Sequence, residues 1–155
     1  MLELKFILSP LLKIIGFDYK NKRAKDRVLL EQFLEFLSPD SDTIRMLKST
    51  DMGDSIPRNY FTPLYHLQRW RDSDKEFQVR KIEQLKISFI AAVEQFLNEY
   101  SKQCKNDNNG NLNIGITDLE NPREEILDYQ SNLNKLATSS FKKYDRFVRY
   151  ARKEI

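Results

Sequence analysis

Apolar residues recur along this chain at spacings of three and four rather than two, the period of amphipathic helices. In residues 1–19, Leu4, Leu8, Leu11, Leu12 and Ile15 mark a short amphipathic helix, broken or bent near Pro10. Lys20-Asn21-Lys22-Arg23 reads as a linker into a second helix over about 24–37, whose stripe is Val28, Leu30, Phe33, Leu34 and Leu37. Ser38-Pro39 ends it. The same pair, a serine cap followed by proline at the first helical position, is expected to start a further helix to about Ser49, closed by Gly53. Thr62-Pro63 repeats that signal ahead of Leu64, Leu67 and Trp70, so residues 24–72 divide into several short helices.

The pattern strengthens at Ser73. Ser73 and Glu76 have capping-box spacing, and Phe77, Ile82, Leu85, Phe89, Val93, Phe96 and Tyr100 follow on one helical face, giving a long helix over 73–105. Residues 106–121 are polar and rich in asparagine, a loop in which Leu112 to Ile116 have the character of a short extended piece. Asn121-Pro122 then starts a second long helix over 122–153, with Ile126, Tyr129, Leu133, Leu136, Ser140, Tyr144, Phe147 and Ala151 as its stripe. Helices of near-equal length, each on the order of 45 Å, favour antiparallel packing. The expected fold is all-α, one helical domain over 1–155: a bundle with a long antiparallel C-terminal helix hairpin and several shorter N-terminal helices.

Composition agrees with a packed chain, since 40% of the 155 residues are hydrophobic and only four are glycine. Cys104 is the sole cysteine, which excludes an intramolecular disulfide and any zinc site built on several thiolates, and points to a reducing, cytoplasmic setting. The first segment is interrupted by Glu3, Lys5, Pro10 and Lys13, short of the roughly 20 apolar residues that span a bilayer. It also lacks the charge order of a secretory signal, so neither spanning nor export is expected.

Catalytic apparatus is sparse. Arg58 and His66 have the residue types of the arginine and histidine in HEPN ribonucleases, but seven residues intervene, more than that family's motif allows, and Pro63 interrupts the helix. Asp107, Asn109, Asn111 and Asp118 stand at calcium-loop spacing, yet Leu112 occupies the position where an EF-hand needs glycine. There is no glycine-rich phosphate loop and no nucleophile elbow. No catalytic residue, metal or cofactor is expected.

Two segments are candidate interaction surfaces. Leu4, Leu8, Leu11, Leu12 and Ile15 precede a basic run of Lys20, Lys22, Arg23, Lys25 and Arg27, opposed only by Asp26. An apolar helix flanked by cations suits a protein partner or self-association first, and an anionic membrane surface, such as the inner face of the membrane, second. At the other end, Lys142, Lys143, Arg146, Arg149, Arg152 and Lys153 interleave with aromatics and suit nucleic acid. A duller account is that Asp118, Glu120, Glu124 and Glu125 at the start of this helix and cations at its end match the helix dipole, with the aromatics in the core.

Phe33, Leu34, Leu37, Ser38, Ile44, Leu47, Asp51 and Gly53 carry a resemblance to an uncharacterised family of bacterial all-helical proteins, with Pro39 displaced by one position. The resemblance covers about the middle third of the chain. It implies a bacterial origin, and, because such proteins often have a hydrophobic N-terminal segment, it favours membrane association. It transfers no activity and no catalytic residue.

Overall fold

The apolar stripes of three helices meet around one aromatic residue, Phe33. The computed structural model describes residues 2–116 and 123–155, with side chains described from Gly16 onward except Phe17. Helices α1 (Leu2–Phe36), α2 (Asp42–Ser49), α3 (Thr62–His66), α4 (Arg80–Ser101) and α5 (Glu124–Glu154) dominate the fold. The predicted side chains Leu4, Leu8, Leu11, Leu12 and Ile15, and the Asn121-Pro122 start signal with Asp118 and Glu120, lie outside the described residues.

The two N-terminal helices predicted with a linker between them are one helix. Lys20 to Arg23 contain no breaker, and lysine and arginine are good helix formers, so nothing local interrupts the backbone there. The next start signal is also misplaced. Ser41, not Ser38, caps α2 by accepting from the Ile44 amide at 3.3 Å, while Ser38 accepts from Asp40 in the preceding turn. Pro63 does sit in the first turn of α3, but Phe61 occupies the cap position, and α3 tightens after His66 into a 3-10 turn over Leu67–Arg71.

Helices α4 and α5 are the long antiparallel pair. Phe77, just before α4, faces Phe147 across 5.6 Å, Phe89 faces Tyr144 across 5.4 Å, and the Tyr129 hydroxyl donates to the carbonyls of Glu99 and Tyr100. Rising residue numbers on one helix thus meet falling numbers on the other. The helix α4 is shorter than the predicted 73–105, because residues 73–75 form only a 3-10 turn and the Ser73–Glu76 capping box does not form. Partners from elsewhere serve the amides there. The buried Asp26 carboxylate accepts from Gln78 at 2.7 Å and Val79 at 2.8 Å, and Glu83 accepts from Phe77 at 2.8 Å. Lys86, fully buried, joins this network by donating to the Lys75 carbonyl at 2.7 Å and pairing with Glu83 at 2.9 Å. Burial lowers its pKa, and the Glu83 carboxylate works against that shift.

Part of the predicted 106–121 loop is a small sheet. Strands β1 (Ile56–Pro57), β2 (Lys105–Asn106) and β3 (Asn111–Asn113) pair antiparallel in the order β1-β3-β2, with Ile56 opposite Leu112 and Lys105 opposite Asn113. Two- and three-residue strands are too short to show a period in sequence, and β1 comes from a segment about fifty positions earlier. Gly110 closes the hairpin with φ +77°, a backbone conformation that side-chain-bearing residues rarely adopt.

A polar joint ties the loop after α2 to α5. Asp51 accepts from the Gly53 amide at 2.8 Å and the Gln130 side chain at 2.6 Å, while Asn134 accepts from the Met52 amide at 2.8 Å. A Cβ on Gly53 would stand 2.5 Å from Gln130 Nε2. Gly53→Ala is therefore expected to displace the Gln130 amide from Asp51 and destabilise the fold by about 1 kcal/mol, read by urea unfolding. The Gln130 and Gly53 donors hold the Asp51 carboxyl below its usual pKa. That contribution is present above the unfolded-state pKa and is lost as pH falls through the lower folded value, so the wild-type advantage should shrink below about pH 4.

Candidate functional site

The basic run of α1 has a different disposition from the one its sequence suggests. Every described side chain from Asp18 to Lys25 is exposed or half-buried, and burial begins at Asp26. Asp26 does not oppose the neighbouring cations at the surface, because both its oxygens are used inside, on the amides before α4. Lys22 pairs with Asp18 at 3.2 Å. Arg23 stacks over Tyr19 at 4.3 Å and reaches Glu154 at 3.8 Å, while Arg27 donates to the Ile155 carbonyl at 2.8 Å. Two of the five predicted cations thus hold α1 against the last turn of α5, whose free carbonyls attract positive charge. Lys20 and Lys25 are exposed and enter no ion pair among the described residues.

The six predicted cations of α5 are all exposed. Their interleaved aromatics are not on the same surface. Tyr144 and Phe147 are buried, Tyr144 donating from its hydroxyl to the Leu37 carbonyl at 2.6 Å; Tyr150 is half-buried, and Phe141 is half-buried beneath Lys48 at 5.6 Å. Arg149 pairs with Asp145 at 2.8 Å. Lys142, Arg146, Arg149 and Lys153 follow one another at steps of four, three and four, a single exposed ridge on the side of α5 opposite its core face. Lys135 lies seven residues before Lys142 and extends the same ridge; no aromatic accompanies it in the sequence, and the seven-residue step is the signal that places it there.

The catalytic candidates are not assembled. Arg58 lies in a 3-10 turn whose amide donates to Gly110, whereas His66 is exposed at the end of α3, so the two share no helix face. Asp107 spends one oxygen on the amides of Asn109 and Asn111, the geometry of a turn rather than of an open ligand cage. Among the described residues no group of three or more metal-ligating side chains comes together. Cys104 is half-buried and burial pushes its thiol pKa up, away from a reactive thiolate. A groove of about 360 Å³ between α3 and α4 has Leu64, Val93 and Leu97 in its wall and is crossed by Glu94, which accepts from Arg71 at 3.0 Å.

No described helix is long and apolar enough to cross a membrane. No family model, no curated protein and no solved structure matches this chain.

Proposed function

We propose that this chain is a non-enzymatic helical interaction protein that docks a protein partner, or a second copy of itself, along the N-terminal half of α1. The observation that carries this is the length of α1, 35 residues of helix, along which the described side chains from Asp18 to Lys25 are exposed or half-buried and burial begins at Asp26. The apolar sequence positions before that point keep the helical register of the buried ones. Leu8 and Leu30, like Leu11 and Phe33, are 22 residues apart, six turns at about 3.6 residues per turn. A stripe in that register asks for a cover of the same kind that α4 and α5 supply further along.

The cations beside the stripe bear on the class of partner. Arg23 and Arg27 are engaged with the end of α5, which weakens the cationic cluster that an anionic bilayer would use.

The test is the double variant Leu8→Ser/Leu11→Ser in the full chain. Stability by urea unfolding should change by less than about 0.5 kcal/mol, concentration-dependent mass by sedimentation should fall to that of the monomer if the partner is a second copy, and neither protein should float with anionic vesicles. A loss of about 2–5 kcal/mol would place the stripe in the chain's own core, and flotation lost only in the variant would make it a membrane anchor; either outcome sinks the proposal.

A further inference from the structure

Residues 129–155 hold seven cations and two carboxylates, whereas the whole chain carries only +3, so the remainder of the molecule is net negative. Both carboxylates are engaged, Asp145 with Arg149 and Glu154 with Arg23. The helix dipole accounts for Arg152 and Lys153, which lie in the last turn of α5. It does not account for Lys135, Lys142, Lys143 or Arg146, because the dipole's effect falls off within one turn and these stand two to five turns earlier. Packing does not account for them either, since all four are exposed.

We infer that the outer face of α5 binds the phosphate backbone of duplex DNA. From Lys135 to Lys153 the ridge runs about 27 Å along a single straight element, at about 1.5 Å per residue. DNA carries about one charge per 1.7 Å of duplex axis with both strands counted, so a duplex segment of this length presents more phosphates than the ridge has cations to pair with them. Between the cations stand small hydroxyl side chains. Ser131, Thr138 and Ser139 border, with Lys135, Lys142 and Lys143, a shallow groove of about 620 Å³, and serine and threonine hydroxyls are regular donors to phosphate oxygens.

The same face discriminates among polyanions. Single strands are held by stacking bases on aromatic rings, and the rings of this helix are directed to the core at Tyr144 and Phe147. Binding of a helix to a bilayer strengthens with the apolar area it inserts beside its cations, and the ridge from Lys135 to Lys153 exposes no large apolar side chain. Phosphate contact without base contact implies binding that is indifferent to sequence. This surface is separate from the N-terminal half of α1, so the two proposals stand or fall independently.

The experiment is fluorescence anisotropy of a labelled duplex of about 20 base pairs with the full chain, titrated at several salt concentrations from about 50 mM upward. The wild type should bind, with log K falling linearly against log salt. Lys142→Gln/Arg146→Gln/Lys153→Gln, all exposed and outside the core, should weaken binding at least tenfold and make the slope shallower by about 2–3, since each phosphate contact contributes about 0.9. Lys102→Gln, away from the ridge, and Leu8→Ser/Leu11→Ser should bind as the wild type does, with circular dichroism checking that each variant is folded. Absence of binding at low salt, a folded triple variant that binds unchanged, equal or tighter binding of a single strand, or stronger retention on phosphatidylglycerol vesicles than on the duplex would each overturn the assignment.

Discussion

Phe33→Ala is expected to lower the free energy of unfolding by about 3–5 kcal/mol, the cost of removing a buried aromatic side chain from a site that cannot collapse around the loss. Phe33 is the point where α1, the turn after α3, α4 and α5 meet. Its ring lies 4.8 Å from Trp70, 5.0 Å from Phe147, 6.3 Å from Tyr144 and 6.5 Å from Phe89, and none of its surface is exposed. The edge-to-face geometry at Trp70 and Phe147 adds an attraction of about 0.5–1.5 kcal/mol per pair beyond area burial. Because the ring touches all four elements, the cavity should open to each of them. Urea unfolding measures the loss; a change below about 1 kcal/mol would mean that the core repacks and that Phe33 is not its centre. Phe33→Leu, which keeps most of the volume, should recover much of the difference.

Asp26→Ala should cost about 3 kcal/mol or more, although it deletes a charge and creates little cavity. The carboxylate is 1% exposed and is the acceptor for the amides of Gln78 and Val79, two donors that lead into α4 and that no side chain of α4's own start serves. Hydrogen bonds to an ionised acceptor contribute about 1.5–3 kcal/mol each, and the alanine removes the side-chain acceptor of both part-buried amides. The carboxylate also stands near the positive end of the α4 dipole. Asp26→Asn, which keeps the shape but offers one carbonyl acceptor, should fall between the two. Hydrogen exchange localises the effect: protection at Gln78 and Val79 should drop before that of the middle of α4, and uniform loss would show that Asp26 acts on the whole fold instead.

Helical periodicity made the long elements legible. The stripe Phe89, Val93, Phe96, Tyr100 and the stripe Leu133, Tyr144, Phe147, Ala151 are core in the structure as the spacing required, and the antiparallel pairing of α4 and α5 follows the expected order. Helix ends were read less well. A capping box at Ser73 and Glu76 and a serine-proline start at Ser38 are local signals, and each lost to another partner, Asp26 with Glu83 in the first case and Ser41 in the second. Asp26 is a clear instance, because in sequence it is one acid in a basic run, and only the packing of α1 against the start of α4 turns it inward.

The candidate surfaces divide along the same line. That α5 carries an excess of cations, that apolar positions recur at helical spacing on either side of Lys20–Arg23, and that one cysteine and one histidine leave little for metal or nucleophilic chemistry were determined by the sequence itself, since composition and period need no partner to be counted. Which cations remain free was decided by the tertiary structure. Arg23 and Arg27 are drawn to the end of α5, 128 and more positions away, whereas Lys135, Lys142 and Arg146 are left on an outer ridge with Tyr144 and Phe147 turned inward. The physical reason is that charge pairing and burial depend on distance in space, and the chain's own order sets that distance only within a few turns of a helix.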